Sequence, residues 1–354
     1  SLINKIRAKM TAIKGKSGMV LLLFLFGITI ILSQLMGRTA VLSIMILFVA
    51  SLDDADEMSP SRMVAAIFAI IAAWSLKVPV ALGATMSATA NAYYEGIVSD
   101  PALMLQTGDF IKVSLIPCVA LTVYCLFAWK LIPSHPIDSS DVKEVKKTEA
   151  ISKKDEICIN VVFIGVMIAF FFGNKLGSLM NLAPAVGVLI LIYTKSLKVK
   201  EAVNSMTGDM VWMIAGVLVM SDAMGSSGVG ELIGKGILSI LGENPSSWFV
   251  LTVFAIATIV MTTFMSNTGT AAILTPIAAS MALVAGMDPR GIVLIINIAS
   301  IMAIAFPSGS AECALMFAAG RHSPVGLLKF TLPYLALAVI TLVISVSIFF
   351  PVYP

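Results

Sequence analysis

Charge is scarce in this sequence. Asp, Glu, Lys and Arg make up 12% of its 354 residues, about half of the roughly 25% usual in soluble globular chains. So low a share excludes a soluble enzyme, a nucleic-acid binder and a disulfide-stapled secreted domain. Histidine is reduced to His135 and His322, both in expected loops. The four cysteines, Cys118, Cys125, Cys158 and Cys313, lie inside apolar segments without metal-ligand spacing and read as small buried hydrophobes. No Walker A, GxGxxG or HExxH pattern occurs and no nucleophile–base pair is visible, so neither nucleotide nor hydrolytic chemistry is indicated. The chain reads as a non-enzyme without an organic cofactor.

Long apolar sequence is abundant, with 58% hydrophobic residues and a mean hydropathy of +0.99. Only helices and closed barrels satisfy their backbone hydrogen bonds in lipid, and these runs do not alternate as barrel strands of about ten residues would. The expected class is an all-α polytopic membrane protein. A spanning helix takes about 20 apolar residues, with a range near 17–25. Runs near 61–76, 108–132, 156–173, 180–194 and 325–350 are the expected full spans. Other runs are shorter and come in pairs divided by a small polar motif: 19–36 with 39–52, 248–265 with 269–285, and 290–305 with 311–319. The stretch 78–98 reads as the second half of a helix begun near 61. Such pairs predict hairpins and discontinuous helices, whose breaks place free backbone groups at an ion and substrate site.

The two halves match. Ile31–Thr39 (ILSQLMGRT) aligns with Val260–Thr268 (VMTTFMSNT) at an offset of 229 that also carries Ser59-Pro60 onto Asp288-Pro289. Ser87–Ala92 matches Gly309–Ala314 after a gap, and Phe110-Ile111-Lys112 before Pro117 resembles Leu327-Leu328-Lys329 before Pro333. An inverted-repeat transporter with two re-entrant hairpins is therefore expected. Residues 1–18 form a basic cytoplasmic stub, 19–133 the first repeat, 134–155 a polar linker and 156–354 the second repeat. The second repeat has scaffold helices ahead of its hairpin, whereas the first has only the stub. N-terminal helices are thus expected to be missing, truncated or supplied by a second chain. The apolar run from Met19 belongs to the repeat and is not a signal peptide. Most lysines and arginines fall on the side of the stub, so the positive-inside rule puts the C-terminus outside the cell (inner or plasma) membrane.

At MTTFMSNTGTAAILTPIAASMA (261–282) the sequence resembles the divalent-anion/sodium symporter (DASS) family of the ion transporter superfamily. The resemblance runs over 19–350, with Ser266-Asn267-Thr268 at a hairpin tip and Pro307-Ser308-Gly309-Ser310 in the next broken helix. It implies a secondary transporter of a di- or tricarboxylate-like anion, coupled to Na+ and working by alternating access as a homodimer in the lipid bilayer. By position, Thr262, Met265, Ser266, Asn267 and Gly309 would hold sodium. Asn267, Thr268 and Ser310, with Arg38, Thr39 and Asn91 from the first repeat, would contact the small anionic substrate. Ser87 and Ala88 occupy further matching positions. The donor types suit the roles, because sodium is a hard cation that takes oxygen ligands and helix N-termini present N–H groups to an anion. The sequence departs from the family where the first tip reads Gly37-Arg38-Thr39, and where the breaks read Ala88–Asn91 and Ser310–Cys313.

Arg38 is the only charge between Met19 and Leu52. A guanidinium there keeps its proton and must be paired or hydrated. Either it turns away to pair with an acid or snorkel, or it is a tethered cation. In the second case it fills the first sodium's electrostatic role and grips a carboxylate with two prongs. Glu312 is the coupling candidate, since an acid at a midplane break is functional by default. Lys77 is expected to snorkel or to pair with an acid. Glu95 and Asp222 are expected to be solvated or capping, and Asp53-Asp54-Asp56-Glu57 to form a cytoplasmic turn. Two other functions compete: a sodium-independent anion exchanger, and a cation/proton antiporter with Glu312 as proton carrier.

Overall fold

Each long apolar run satisfies its own backbone by folding as a helix. The computed structural model describes residues 18–49, 59–79, 81–98, 100–135, 152–171, 182–207, 226–242 and 245–353, with a few isolated positions between 212 and 223. These hold fourteen α-helices and no strand. The basic stub, the acidic run at 53–57 and most of the polar linker lie outside the described residues.

A helical hairpin opens the described chain, α1 (Met19–Leu35) and α2 (Arg38–Val49). Next comes a broken helix, α3 (Pro60–Trp74), a break, a 3-10 turn at Ala81–Thr85 and α4 (Met86–Ala92), and then the long α5 (Asp109–Ala128). Four helices follow: α6 (Lys153–Phe171), α7 (Ala183–Tyr193), α8 (Val199–Met206) and α9 (Val229–Leu241). The first pattern then recurs. The hairpin is α10 (Ser247–Phe264) with α11 (Asn267–Val284). The broken helix is α12 (Pro289–Ala299), a 3-10 turn at Pro307–Gly309 and α13 (Ala311–Ala319), and the long helix is α14 (Pro324–Phe349).

The recurrence extends to backbone detail. Phe264, Asn267 and Pro289 each lie 229 residues after Leu35, Arg38 and Pro60, their counterparts at the hairpin tips and the broken-helix starts. Each tip turns at an extended methionine, Met36 (φ −135°, ψ 158°) and Met265 (φ −125°, ψ 165°). Each donates its N–H back to the last turn, to Leu32 and Met261 carbonyls. Proline opens both α3 and α12, where its missing N–H costs nothing. Beyond Arg62 and Arg290 in their first turns both helices are almost wholly apolar and buried, as such helices must be. They form the centre on which the hairpins lean: α1, α2 and α5 pack on α3, while α10, α11 and α14 pack on α12.

The two sets are joined through α5 and α14. Tyr124 Oη donates to the Phe330 carbonyl at 2.8 Å and Tyr334 Oη to the Ala69 carbonyl at 2.7 Å. Near α13, both α2 and α3 of the first set are in contact with the second. Gly234 lets α9 lie close on α11, since a Cβ there would stand 3.0 Å from the Ser280 carbonyl oxygen.

Three expected spans differ, among them the run at 156–173, whose helix α6 opens on Lys153, Lys154, Asp155 and Glu156 and is not one of the stretches long and apolar enough to cross. The run at 61–76 is a 15-residue helix that ends at Ser75, the first arm of a broken helix rather than a span. The run at 180–194 yields eleven helical residues, about 16 Å at 1.5 Å per residue, short of a bilayer. Among the described residues four helical stretches are long and apolar enough to cross: 109–131, 247–264, 267–284 and 324–349. Both arms of the second hairpin, expected as half-spans, are among them.

One end of the bundle is stitched by a polar cluster where α3 and α14 begin and α5 ends. Ser134 Oγ donates to Ser59 Oγ at 2.7 Å, and the His135 N–H to Ser61 Oγ at 2.8 Å. His322 Nε2 lies 3.0 Å from the Ser61 carbonyl, with the His135 ring 5.6 Å away. At another helix start, Asp288 caps α12 and pairs with Arg290 at 2.6 Å.

Candidate functional site

The hairpin tips meet. Arg38 opens α2 and Asn267 opens α11, the same position in each hairpin. With the Asn267 amide turned so that both its ends are satisfied, its oxygen accepts from Arg38 Nη1 at 2.7 Å. Its nitrogen then donates to Thr262 Oγ1 and to the Ser300 carbonyl, 2.9 Å each. Thr262 Oγ1 also donates to the Ser300 carbonyl. One asparagine thus ties a residue of its own hairpin, the end of α12 and the opposite hairpin into a single knot.

Arg38 is 7% exposed, and its Nε and Nη2 have no hydrogen-bond partner. Its guanidinium carbon stands 6.0 Å from the centre of the Phe68 ring on α3, a cation–π contact. A cation in the first turn of a helix also opposes the helix dipole. Neither its burial nor its place on the helix is explained by stability. Glu312, in the first turn of α13, is half-buried within electrostatic range of Arg38. Its carboxylate lies beside the side chains of Ser310 and Thr39, so it too reaches across from the second set to the first tip.

The other second-set residues gather at the knot. A Cβ on Gly309 would stand 2.6 Å from Ala303 Cβ and 3.3 Å from the Thr262 carbonyl oxygen. Only glycine lets the break lie this close to the tip. Ser308 Oγ donates to the Thr263 carbonyl at 2.7 Å, fastening the same contact. Ser266 Oγ caps α11 by accepting from the Gly269 N–H at 3.0 Å, and Ser310 Oγ caps α13 by accepting from Cys313 N–H at 3.1 Å. Met265, Ser266 and Thr268 are exposed at the tip.

In the first set, Asn91 and Ser87 are engaged elsewhere. The Asn91 amide pairs with both backbone groups of Leu105, at 3.0 and 2.9 Å. Ser87 Oγ donates to the Gln106 carbonyl at 2.7 Å. Both residues clamp the segment between α4 and α5, and Ala88 is exposed beside them. Glu95 is exposed, as expected of a solvated residue, and so is Asp222.

Lys77 is the correction. It neither snorkels nor pairs: it is 1% exposed and its Nζ has no partner. The break after α3 folds inward, with Leu76 at φ 63°. Gln34 braces it, donating Nε2 to the Trp74 carbonyl at 3.0 Å and accepting from the Val78 N–H at 3.4 Å. The sequence reading passed over Gln34, Ser300 and the Thr262 side chain. Their signal was position: Gln34 and Thr262 flank the tips, and Ser300 stands where α12 ends.

The comparisons with known proteins agree with this architecture. The family model described as "Citrate transporter" matches residues 1–297 and 182–353. The chain belongs to the citrate transporter family. Family and helices together make it a multi-pass helical membrane protein of the ion transporter superfamily. Over 111 residues it is 32% identical to the sodium-dependent high-affinity dicarboxylate transporter 3 of Caenorhabditis elegans, covering 31% of this chain and 19% of that one. Over 261 residues it is 22% identical to the uncharacterized transporter YfbS of Escherichia coli, covering 73% and 40%. The chain thus spans between 19% and 40% of the length of these curated relatives. The solved structure of the Alcanivorax borkumensis YdaH transporter superposes with a TM-score of 0.62 at 14% identity, covering 98% of this chain and 81% of that one. At that identity the likeness concerns the fold.

Proposed function

We propose that this chain carries the cargo-binding centre of a secondary transporter of carboxylate anions, a di- or tricarboxylate, working by alternating access. The observation that carries the reading is Arg38: a buried guanidinium with one N–H on Asn267 and two groups bare. A carboxylate accepting from the free edge completes it with two parallel charge-assisted bonds. The ends of α2, α11 and α13 converge there, and their free N–H groups favour an anion. Arg38 and Thr39 from one hairpin, Asn267 and Thr268 from the other, and Ser310 from the break are the cargo contacts. Asn91 orders the segment beside them. The hairpin tips are the moving parts, re-entering to mid-membrane, and the longer helices are the scaffold of a homodimer.

Sodium coupling rests on Asn267, Thr262, Ser266, the Met265 backbone and Gly309. The close approach of the Gly309 position to the Thr262 carbonyl supports an oxygen-lined cage for a hard cation. A second reading has its own observation. The Arg38 guanidinium already holds the Asn267 side-chain oxygen that a sodium ion would need, which favours anion exchange without a sodium gradient. Both are tested by uptake into proteoliposomes of labelled citrate, succinate and malate, with and without a sodium gradient and with unlabelled anion inside. Uptake of a carboxylate is expected. Dependence on sodium supports symport, dependence on internal anion supports exchange, and no uptake of any carboxylate refutes the reading.

A further inference from the structure

The second-set knot is satisfied by its own groups together with one N–H of Arg38, and its counterpart in the first set is not. Shifting by 229 residues carries Thr262 onto Ser33 and Asn267 onto Arg38. Ser300 caps the end of α12 as Ser75 caps the end of α3, which runs four residues longer, so the two match by place on the helix and not by the 229 shift. Thr262 Oγ1, the Asn267 amide and the Ser300 carbonyl bond one another. In the first set Ser33 Oγ, Ser75 Oγ, Arg38 Nε and Nη2, and Lys77 Nζ are all buried without a partner. Ser114 Oγ on α5 is buried and unpartnered as well. It shares a helix face with Cys118, whose Sγ donates to the Ala73 carbonyl.

These groups belong to one neighbourhood. Gln34, beside Ser33, spans the break from Trp74 to Val78, within which Ser75 and Lys77 lie. Arg38 and Cys118 are both within electrostatic range of Lys77. The chemistry of the orphans has one sign. Arginine and lysine are donors only, and a serine hydroxyl donates as readily as it accepts. An uncompensated buried charge is expensive. Here Arg38 has one acid, Glu312, in electrostatic range, while the neighbours of Lys77 are Cys118 and a second cation, Arg38. An acceptor bearing negative charge completes all of these groups at once, whereas a metal cation could use only the serine oxygens and would meet Arg38 and Lys77 as like charges.

We infer that Lys77, with Arg38, Ser33 and Ser75, makes the first-set break an anion pocket for a second carboxylate group of the cargo, at the position where repeat symmetry would put a cation. This rests on the carboxylate reading above and adds to it a requirement: the cargo carries at least two carboxylates, one on Arg38 at the tips and one on Lys77 at the break. Lysine reaches the second group as a point charge, whereas arginine grips the first as a fork.

The test is ligand-induced thermal stabilisation of the purified protein in detergent, titrated with citrate, succinate, acetate and chloride at fixed ionic strength. It compares wild type, Lys77→Met, Lys77→Arg and the milder Ser75→Ala. Citrate or succinate is expected to stabilise the wild type, with acetate and chloride much weaker. In Lys77→Met the affinity for the multicarboxylate falls about tenfold or more, to near that for acetate, and Lys77→Arg keeps part of it. Ser75→Ala loses severalfold. The melting temperature of unliganded Lys77→Met holds or rises, because an unpaired buried ammonium has gone, whereas a structural lysine would lower it. Unchanged multicarboxylate affinity in both Lys77→Met and Ser75→Ala overturns the inference. Chloride stabilising the wild type through Lys77, with carboxylate affinity unaltered by the substitution, overturns the assignment to cargo in favour of an inorganic anion. If no carboxylate stabilises even the wild type, it is the carboxylate reading itself that has failed.

Discussion

Replacing Arg38 with asparagine gives the first tip the residue that the second tip has, and its consequences can be worked from contacts. The unliganded protein loses the 2.7 Å bond to Asn267, a charge-assisted contact of about 1.5–3 kcal/mol. It also loses the contact with Phe68, about 0.5–2 kcal/mol. Against this, a guanidinium that is 7% exposed with two bare groups leaves the interior, which returns several kcal/mol of desolvation. The two sums oppose each other and are of similar size, so the melting temperature without ligand is expected to move by only a few degrees. Anion binding has no such compensation. Truncating one side of a desolvated, hydrogen-bonded charge contact costs about 2–5 kcal/mol, roughly thirtyfold to a few thousandfold in Kd. Isothermal titration of citrate or succinate into wild type and Arg38→Asn, each with sodium or potassium as the only cation, reads both effects. The variant is expected to bind at least thirtyfold more weakly in potassium and to recover part of the loss in sodium. Affinity within threefold of wild type in both salts refutes the argument that Arg38 holds the cargo.

Three further outcomes are expected. In Asn267→Ala the Arg38 Nη1, Thr262 Oγ1 and Ser300 carbonyl all lose a partner, so sodium-dependent thermal stabilisation should fall sharply; an equal sodium response in both proteins removes Asn267 from the cation site. Glu312→Gln withdraws the counter-charge near Arg38 while keeping the shape of the side chain beside Thr39 and Ser310. Carboxylate affinity should rise severalfold, whereas uptake that depends on pH in the wild type and no longer does so in the variant would favour the proton-antiport alternative. Burial, opposed by the Ser61 carbonyl and aided by His135, pushes the His322 pKa below its usual value. The neutral ring is thus the form that folding favours. Its contribution is present above the unfolded pKa of about 6.5 and is lost as pH falls from there through the lower folded value. Melting temperatures measured from about pH 7.5 to about pH 5.5 should drop in wild type and drop less in His322→Gln.

The parts of this molecule legible in its sequence are those where the chain punctuates itself. The polar tips at 37–39 and 266–268, the prolines at 60 and 289 and the common offset foretell two hairpins and two broken helices, and these occur. Arg38 stood out as a lone charge in an apolar run, and it lies at the junction of the tips. Lys77 is as isolated, the only charge between Arg62 and Glu95. Yet a lysine near the end of an apolar helix is ordinarily read as reaching for water. That it turns inward depends on the left-handed backbone at Leu76 and on the Gln34 brace across the break, which no local pattern announces. Asn91 shows the opposite limit. Its place in the repeat marked it for cargo, but fourteen residues on, the Leu105 backbone offers both a donor and an acceptor. A local pairing of that kind competes with any site.

The asymmetry between the two sets bears on how such a carrier would be driven. A sodium ion leaves with its cargo, so a carrier using two of them can return empty and uncharged at both sites. Arg38 and Lys77 cannot leave. On the proposed reading, the empty carrier holds two cationic side chains against one acid, Glu312, a net charge of about +1, and a bound dicarboxylate turns this to about −1. One sodium ion taken up with the dicarboxylate brings the loaded form to neutrality, and without it the carrier reverses its charge on loading and returns more readily with an anion than empty. Sodium enters this balance only through Asn267. While the site is empty the guanidinium sits on that oxygen, and a carboxylate drawing Arg38 toward itself leaves the oxygen free for a cation. Cargo and sodium would then favour each other's binding by the same factor, since linkage is reciprocal. Symport and exchange thus differ by how far Arg38 moves off Asn267 when the anion arrives.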